Sequence, residues 1–374
     1  MEVYVTRKMS PRMHNLTLDE LWFGDDNATC WVKPNATSTF TVLTSSPPSC
    51  DREDMIRALN AFYDRYKDLI DTDKGQLYRT FYVPKSSGGL RRIDAPNDQL
   101  SNALRDLIYV FKTWFNASYL YHTSAFAYIN GRSNVTCIKK HQQNQSKWFG
   151  KFDIHNFFGS TTIDFVMQMF SMIWPFSEIC GTVHGNELLR SVMSLCFLNG
   201  VLPQGTPISP LIINIMMIPV DYSMERFCRD KGMIYTRYAD DFIISSRHQF
   251  RFREVETFIE GILSAFEAPF SLNKAKTRYG SSSGSNWNLG IMLNKDNQMT
   301  IGRAKKRQFE SMMAAYAKDK KNGREWSLED VQHLEGLKSY YKMIEGDTIE
   351  RIIDHISTKQ GVDIRSEIKK DLRK

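Results

Sequence analysis

Three stretches of the chain place carboxylates and polar side chains where a fold can gather them. In Ile234–Ser245, two apolar runs flank Tyr238, Ala239, Asp240 and Asp241. That pattern predicts a hairpin whose tip carries adjacent carboxylates with open coordination. Hard cations such as Mg2+ take oxygen ligands and keep positions for water and phosphate. Asp is also an ordinary turn residue, so the pair alone is a weak signal. A second carboxylate, Asp153, ends an apolar run, Lys151-Phe152-Asp153-Ile154, and two aromatics, Phe157 and Phe158, follow. Three carboxylates on neighbouring strands could hold two metal ions, one activating a hydroxyl and one stabilising a pyrophosphate leaving group. Such chemistry is mainly positioning and charge neutralisation. The third stretch is Leu202–Pro210, where prolines and Gly205 fix an exposed loop before an apolar helix and Gln204 could meet a nucleotide.

The elements that must hold these residues follow from periodicity. Asp51 caps a predicted helix, with Asp54 placed as in a capping box. Residues 77–83 and Leu90–Ala95 read as strands around the turn Lys85-Ser86-Ser87-Gly88-Gly89. Leu100, Leu104, Leu107, Ile108, Phe111 and Phe115 recur at helical spacing, predicting a helix over 98–115. A strand is expected over Trp148–Ile154, and helices from about Thr162, over Leu188–Leu198, over Pro210–Arg229 despite Pro219, and over Arg253–Phe266. A short strand and a Ser/Gly loop at 281–285 then lead to a strand over Trp287–Leu293. The tail reads as helical, with one face marked by Phe309, Met312, Met313 and Tyr316 and a second by Leu328, Val331, Leu334, Leu337 and Tyr341. Residues 1–50 are rich in Thr, Ser, Asn and Pro and read as an irregular extension, with a short docking helix expected at Leu16–Phe23.

The chain has 374 residues, with 49 Lys and Arg against 42 Asp and Glu, a formal charge of +7. This mild excess permits a nucleic-acid partner without demonstrating one. Six scattered cysteines form no CxxC pair, which argues against a zinc site and suits a reducing compartment. The N-terminus has no apolar signal core, and no run approaches a membrane span. A cytoplasmic protein without a membrane partner is expected.

Seven motifs, in order, resemble the reverse transcriptase family, in the style of bacterial retron, group II intron-like and phage-defence enzymes. They are Lys85 with Gly88–Pro96, Gly131-Arg132-Ser133, Phe152-Asp153 with Phe157-Phe158, Leu202–Gly205 with Ser209-Pro210, Tyr238–Asp241, Leu272-Asn273 with Lys276-Thr277, and Asn288-Leu289-Gly290. The resemblance implies an α+β right-hand polymerase: an extension at 1–50, fingers at 51–147, a palm of antiparallel sheet packed on helices at 148–294 with minor fingers elements interleaved, and a helical thumb at 295–374. It implies that Asp153, Asp240 and Asp241 hold two Mg2+ ions, with Mn2+ as the alternative, and it sets Ile154 among the metal- and substrate-contacting positions. By the same resemblance, Lys85 and Arg91 grip the triphosphate of an incoming dNTP, a role a Lys/Arg hairpin beside glycines can fill. Phe158 matches the bulky position that excludes a ribose 2′-hydroxyl, Gln204 the nucleotide pocket, and Lys276 a general acid near the pyrophosphate. Leu289 and Gly290 match the primer grip. Arg303, Lys305, Lys306, Arg307, Lys318, Lys320 and Lys321 cluster on or beside one tail helix that could track a template–primer backbone.

Departures bear on the class. Only His141 remains of an Asn-Ala-x-x-His element, at Cys137–His141, and Asn288-Leu289-Gly290 stands where retron enzymes carry Val-Thr-Gly. Little length remains after the thumb for a maturase region, and no RNase H pattern is present. The expected function is RNA-directed DNA synthesis on an RNA template, by analogy a dedicated non-coding RNA in phage defence, with a protein partner or oligomer left open. Two readings stay beside it: an RNA polymerase or template-independent polymeriser on the same core, which Phe158 disfavours, and a non-catalytic RNA-binding protein, which the three intact aspartates disfavour.

Overall fold

A computed structural model describes residues 51–84, 88–114, 120–281 and 287–373, and the backbone of the strands at 30–34 and 40–44. The expected helix at Leu16–Phe23, the tip Lys85–Ser87, Phe115 and most of the Ser/Gly loop lie outside the described residues. The architecture is α+β, as the resemblance implies. In chain order the strands are β1 (Cys30–Pro34), β2 (Phe40–Thr44), β3 (Tyr78–Pro84), β4 (Leu90–Pro96), β5 (Trp148–Asp153), β6 (Ile234–Tyr238), β7 (Asp241–Ser246), β8 (Arg278–Ser281), β9 (Trp287–Asn288), β10 (Ile291–Leu293) and β11 (Met299–Thr300). A four-stranded sheet has the order β6-β7-β5-β8, and β3 pairs β4 as a separate antiparallel hairpin.

The chain divides into two compact units, 1–132 with 150–244 and 251–278, and 133–149 with 245–250 and 279–374. This division cuts across the expected fingers, palm and thumb: most of the first two share one unit, and the expected primer grip falls with the tail.

In the first unit, Asp51 caps the helix Arg52–Asp71 by accepting from Asp54 N at 2.8 Å, and acidic Glu53 and Asp54 suit the helix N-terminus. The helix Asp98–Trp114 buries Leu100, Leu104, Leu107 and Phe111, the expected face. The single helix expected over Pro210–Arg229 is two, Ser209–Met216 and Ile218–Asp230. Pro219 falls in the first turn of the second, where its missing N–H leaves no helical bond unmade. The helix expected over Leu188–Leu198 starts earlier, at Val183 behind the Thr182 cap, and gives way at Ser194–Cys196 to a 3-10 turn. A fully buried ion pair joins β6 to the helix Ile218–Asp230, Arg237 with Asp221 at 2.7 Å. Removing one partner of such a pair costs about 3–5 kcal/mol, because the other charge is stranded in the core.

In the second unit, Ser133 and Thr136 form a capping box at the helix Asn134–Gln143. That helix buries His141, whose Nδ1 lies 2.6 Å from Ser245 Oγ; burial pushes the imidazole down to about 3, so it is neutral. The strand expected over Trp287–Leu293 is instead a two-residue hairpin. Ile291 pairs Asn288, and the turn residues Leu289 and Gly290 have φ of 53° and 80°. Positive φ at both central positions is the turn whose twist matches antiparallel strands. The tail helices are Gly302–Lys321, Leu328–Gln360 and Ile364–Asp371, with Phe309, Met313, Tyr316, Val331, Leu334 and Tyr341 in their core. Leu328 lies at the surface and Met312 and Leu337 are half-buried, so the two expected faces hold only in part. The helix Leu328–Gln360 carries a non-helical residue, Glu345, whose carboxylate accepts from Ile301 N, Thr300 Oγ1 and Lys306 Nζ and so anchors the start of the helix Gly302–Lys321.

Candidate active site

The site lies in the first unit. Asp240 is the last residue of the turn between β6 and β7, and Asp241 opens β7. Ala239, before them, adopts φ 56°, a left-handed conformation costly for a residue with a Cβ. Asp153 ends β5 and is buried. The backbone registers it on both sides: Ile154 N donates to Asp240 O at 3.0 Å, and Asn273 N donates to Asp153 O at 2.7 Å.

Burial raises the proton affinity of Asp240 and Asp241. Desolvation is the main cause for Asp240, whose own backbone hydrogen bond, Lys276 and Lys151 pull against it while the Asp153 charge adds to it. Asp241 is pushed up to about 6 by burial, with Lys151 opposing and the Asp240 and Asp153 charges reinforcing. Two lysines balance the acids: Lys151 Nζ lies 2.9 Å from Asp241 Oδ2, and Lys276 Nζ lies 3.1 Å and 3.3 Å from the two oxygens of Asp153. Among the described residues, no three His, Cys, Asp or Glu side chains are gathered so as to hold a metal ion. The acids meet as coupled charges, and a cation such as Mg2+ takes one or two protein carboxylates and completes its shell with water and phosphate oxygens.

Beside these acids opens a cavity of about 800 Å3. Arg91, Ile154, Phe158, Gln204, Asp240 and Lys276, all singled out from sequence, line it together. Lys85 lies outside the described residues. Arg91 is exposed, whereas its neighbour Arg92 pairs with Asp94 at 2.9 Å. Gln204 is seated by its backbone, its carbonyl accepting from Asp94 N at 2.7 Å. Gly205, with φ 119°, lies so close to β4 that a Cβ there would meet Ile93 Cγ2 at 2.8 Å and Asp94 O at 2.9 Å. Phe157 is buried against Phe270, whereas Phe158 is half-buried, and both line the cavity.

Some residues escaped the sequence reading. Lys151 carried a legible signal, since two residues before Asp153 it shares a strand face with it. Tyr128, exposed on the cavity wall with φ 63°, carried none. In the second unit, Leu289 and Gly290 form the tip of the β9–β10 hairpin, and Asn134 Nδ2 donates to Leu289 O at 3.1 Å and to Tyr340 Oη at 2.6 Å. Lys305 Nζ donates to Gly290 O at 3.2 Å and stands over the Trp287 ring. Lys306 and Lys320 of the expected backbone-tracking set pair with Glu345 and Asp371, while Arg303, Arg307, Lys318 and Lys321 are exposed.

Comparison with known proteins gives this arrangement its family. A family model described as "Reverse transcriptase (RNA-dependent DNA polymerase)" matches residues 83–310. The chain belongs to that reverse transcriptase family. It is 27% identical over 311 residues to the Retron Ec83 reverse transcriptase of Escherichia coli, covering 80% of this chain and 93% of that protein. It is 26% identical over 289 residues to the Retron Mx65 reverse transcriptase of Myxococcus xanthus, covering 74% of this chain and 63% of that one. Among solved structures, telomerase from Candida albicans aligns with a TM-score of 0.41 at 11% identity, over 81% of this chain and 58% of that chain. The departures at Cys137–His141 and Asn288–Gly290 therefore occur in a reverse transcriptase similar to retron enzymes. Such a polymerase copies RNA into DNA and uses divalent metal ions. Among the described residues, no helix of this reverse transcriptase is long and apolar enough to cross a membrane.

Proposed function

We propose that this reverse transcriptase extends a primer on an RNA template with dNTPs, and that Asp153, Asp240 and Asp241 are its metal ligands, with Ile154 beside them. The observation that carries the reading is the single cavity in which Arg91, Phe158, Gln204 and Lys276 meet Asp240. The donor set fits Mg2+, or Mn2+: oxygen ligands only, an open side, and lysines balancing the acids. Two bound ions would lower the pKa of the primer hydroxyl and neutralise the pyrophosphate.

The remaining work falls to side chains. Arg91, with Lys85, grips the triphosphate through charge-assisted hydrogen bonds. Phe158 closes the space a 2′-hydroxyl would need, and Gln204, held by β4, bounds the nucleotide. Lys276, an exposed side chain whose amine pairs with Asp153, gives a proton to the departing pyrophosphate. Leu289 and Gly290 present a tight turn to the primer, and the exposed cations of the helix Gly302–Lys321 meet the duplex backbone. In this reading residues 51–147 act as fingers, 148–294 as palm and 295–374 as thumb, with 1–50 as an extension. The retron likeness supports a dedicated non-coding RNA as template, a cytoplasmic setting and a part in phage defence, with a protein partner or an oligomer.

The test is primer extension on an RNA template with Mg2+ and either dNTPs or NTPs. Template-directed dNTP incorporation is the expected result. Incorporation of NTPs alone, or incorporation independent of the template, would replace this reading with one of the two polymerase alternatives.

A further inference from the structure

Arg237 centres a polar cluster beneath the catalytic turn. Its guanidinium and the Asp221 carboxylate are both fully buried. Nε donates to Asp221 Oδ1 at 2.8 Å and Nη2 to Oδ2 at 2.7 Å, a bidentate fork. Nη1 donates to Asn214 Oδ1 at 3.1 Å and, more weakly, to Ala239 O at 3.4 Å. Tyr235 Oη adds a donor to Asp221 Oδ1 at 2.7 Å. Asn214 Nδ2 then donates to Ala127 O at 2.9 Å. The main chain of Arg237 binds the same neighbouring segment, its N donating to Ser124 O at 2.7 Å and its O accepting from Phe126 N at 2.8 Å.

As a stabilising device this pair is poor, because apolar groups of equal volume serve a core at least as well. What it supplies is direction. Two carbonyls hang from the cluster, and each neighbours a functional position. Ala239, with φ 56°, precedes Asp240. Ala127 precedes Tyr128, which has φ 63° and stands on the cavity wall. Both left-handed residues need outside contacts to hold them. One guanidinium, through Ala239 directly and through Asn214 to Ala127, ties the acid and that wall to a common point.

We propose that Arg237, clamped by Asp221 and Asn214, is a positioning residue of the polymerase, fixing the spacing between the Asp240 carboxylate and the Tyr128 wall of the nucleotide cavity. The inference rests on the reading of Asp240 as catalytic. The cluster touches no substrate and acts through the two turns it holds.

Two variants test it. Asp221→Leu/Tyr235→Phe/Arg237→Met removes the fork and its extra donor together and leaves apolar side chains of similar volume around Asn214, which keeps its bond to Ala127 O. Arg237→Lys keeps the charge and loses the fork. Thermal melting, template–primer binding by fluorescence anisotropy and single-nucleotide kcat are measured for both. The expected result for the triple variant is a melting temperature near that of the wild type, binding within about threefold, and kcat lower by on the order of 100-fold, the cost of misplacing reacting groups by about 1 Å. Arg237→Lys should lose kcat without losing binding, and it decides the matter if the triple variant does not fold. Either variant folded, with kcat within about twofold of wild type, overturns the proposal. Asp240→Asn runs alongside: if it keeps full activity, the site reading fails and this inference falls with it, whereas an inactive Asp240→Asn beside an active Arg237→Lys sinks the positioning role alone.

Discussion

Replacing Gly205 with alanine probes how the nucleotide loop is seated on β4. The backbone there has φ 119°, which side chains rarely adopt, and the new Cβ would meet Ile93 Cγ2 at 2.8 Å, Asp94 O at 2.9 Å and Asp94 C at 3.3 Å. Two of the three obstacles are backbone atoms of a paired strand and cannot swing aside. The dihedral strain costs about 1–3 kcal/mol. Overpacking adds about 1–3 kcal/mol. The least costly escape is for the loop to lift away, which breaks the 2.7 Å bond from Asp94 N to Gln204 O and forfeits about 1 kcal/mol more. Gln204 then leaves its place in the cavity. A displacement near 1 Å predicts a loss of on the order of 100-fold in kcat/KM for dNTP. The assay is single-nucleotide extension over a range of dNTP concentrations, paired with thermal melting. Gly280→Ala, where a Cβ meets nothing within 4 Å, is the control and should be silent. Wild-type kcat/KM together with wild-type melting in Gly205→Ala would refute the close seating of loop on strand.

Phe158→Val should open the cavity to a 2′-hydroxyl, lowering the dNTP-over-NTP preference by on the order of 10-fold; an unchanged ratio removes the gate from that ring. Lys151→Met tests the electrostatics. Burial has already lifted Asp241 to about 6, and Lys151 opposes that rise, so its loss lifts the carboxyl further. At subsaturating metal, the pH of half-maximal activity should therefore move up by about one unit, and an unmoved acid limb would contradict the pairing. A carboxyl whose folded pKa exceeds its unfolded one also makes the fold less stable as pH climbs from the ordinary Asp value of 3.8 through about 6. Asn134→Ala removes the amide that holds Leu289 O, a change of about 1 kcal/mol, and should raise the KM for template–primer about fivefold while leaving the dNTP KM alone. Equal movement of both constants would deny the turn a separate primer role.

The local patterns were legible because each is a short-range rule. Apolar runs around Tyr238–Asp241 make the hairpin, the Asp153 strand end follows from the apolar run before it, and Gly205 between prolines marks a tight loop. What escaped depended on partners far along the chain. Nothing local to either residue marks Arg237 and Asp221 as partners, and only the fold shows that they bury each other. Lys306 and Lys320 read as backbone-tracking cations, yet Glu345 and Asp371 engage them. Leu289 read as a strand residue because its apolar type outweighed the following glycine, and the two-residue turn overrode that propensity. The division into two units also crosses the linear order, since 133–149 and 245–250 pack with the tail.

Primer extension on an RNA template with dNTPs, comparing the wild type with Asp240→Ala/Asp241→Ala, tests most directly whether the turn between β6 and β7 carries the chemistry of RNA-directed DNA synthesis. Template-directed DNA synthesis is expected of the wild type, with loss of incorporation by on the order of 1,000-fold or more in the folded double variant, the scale on which removing an essential charge-stabilising group acts. A folded double variant that polymerises as well as the wild type would contradict it.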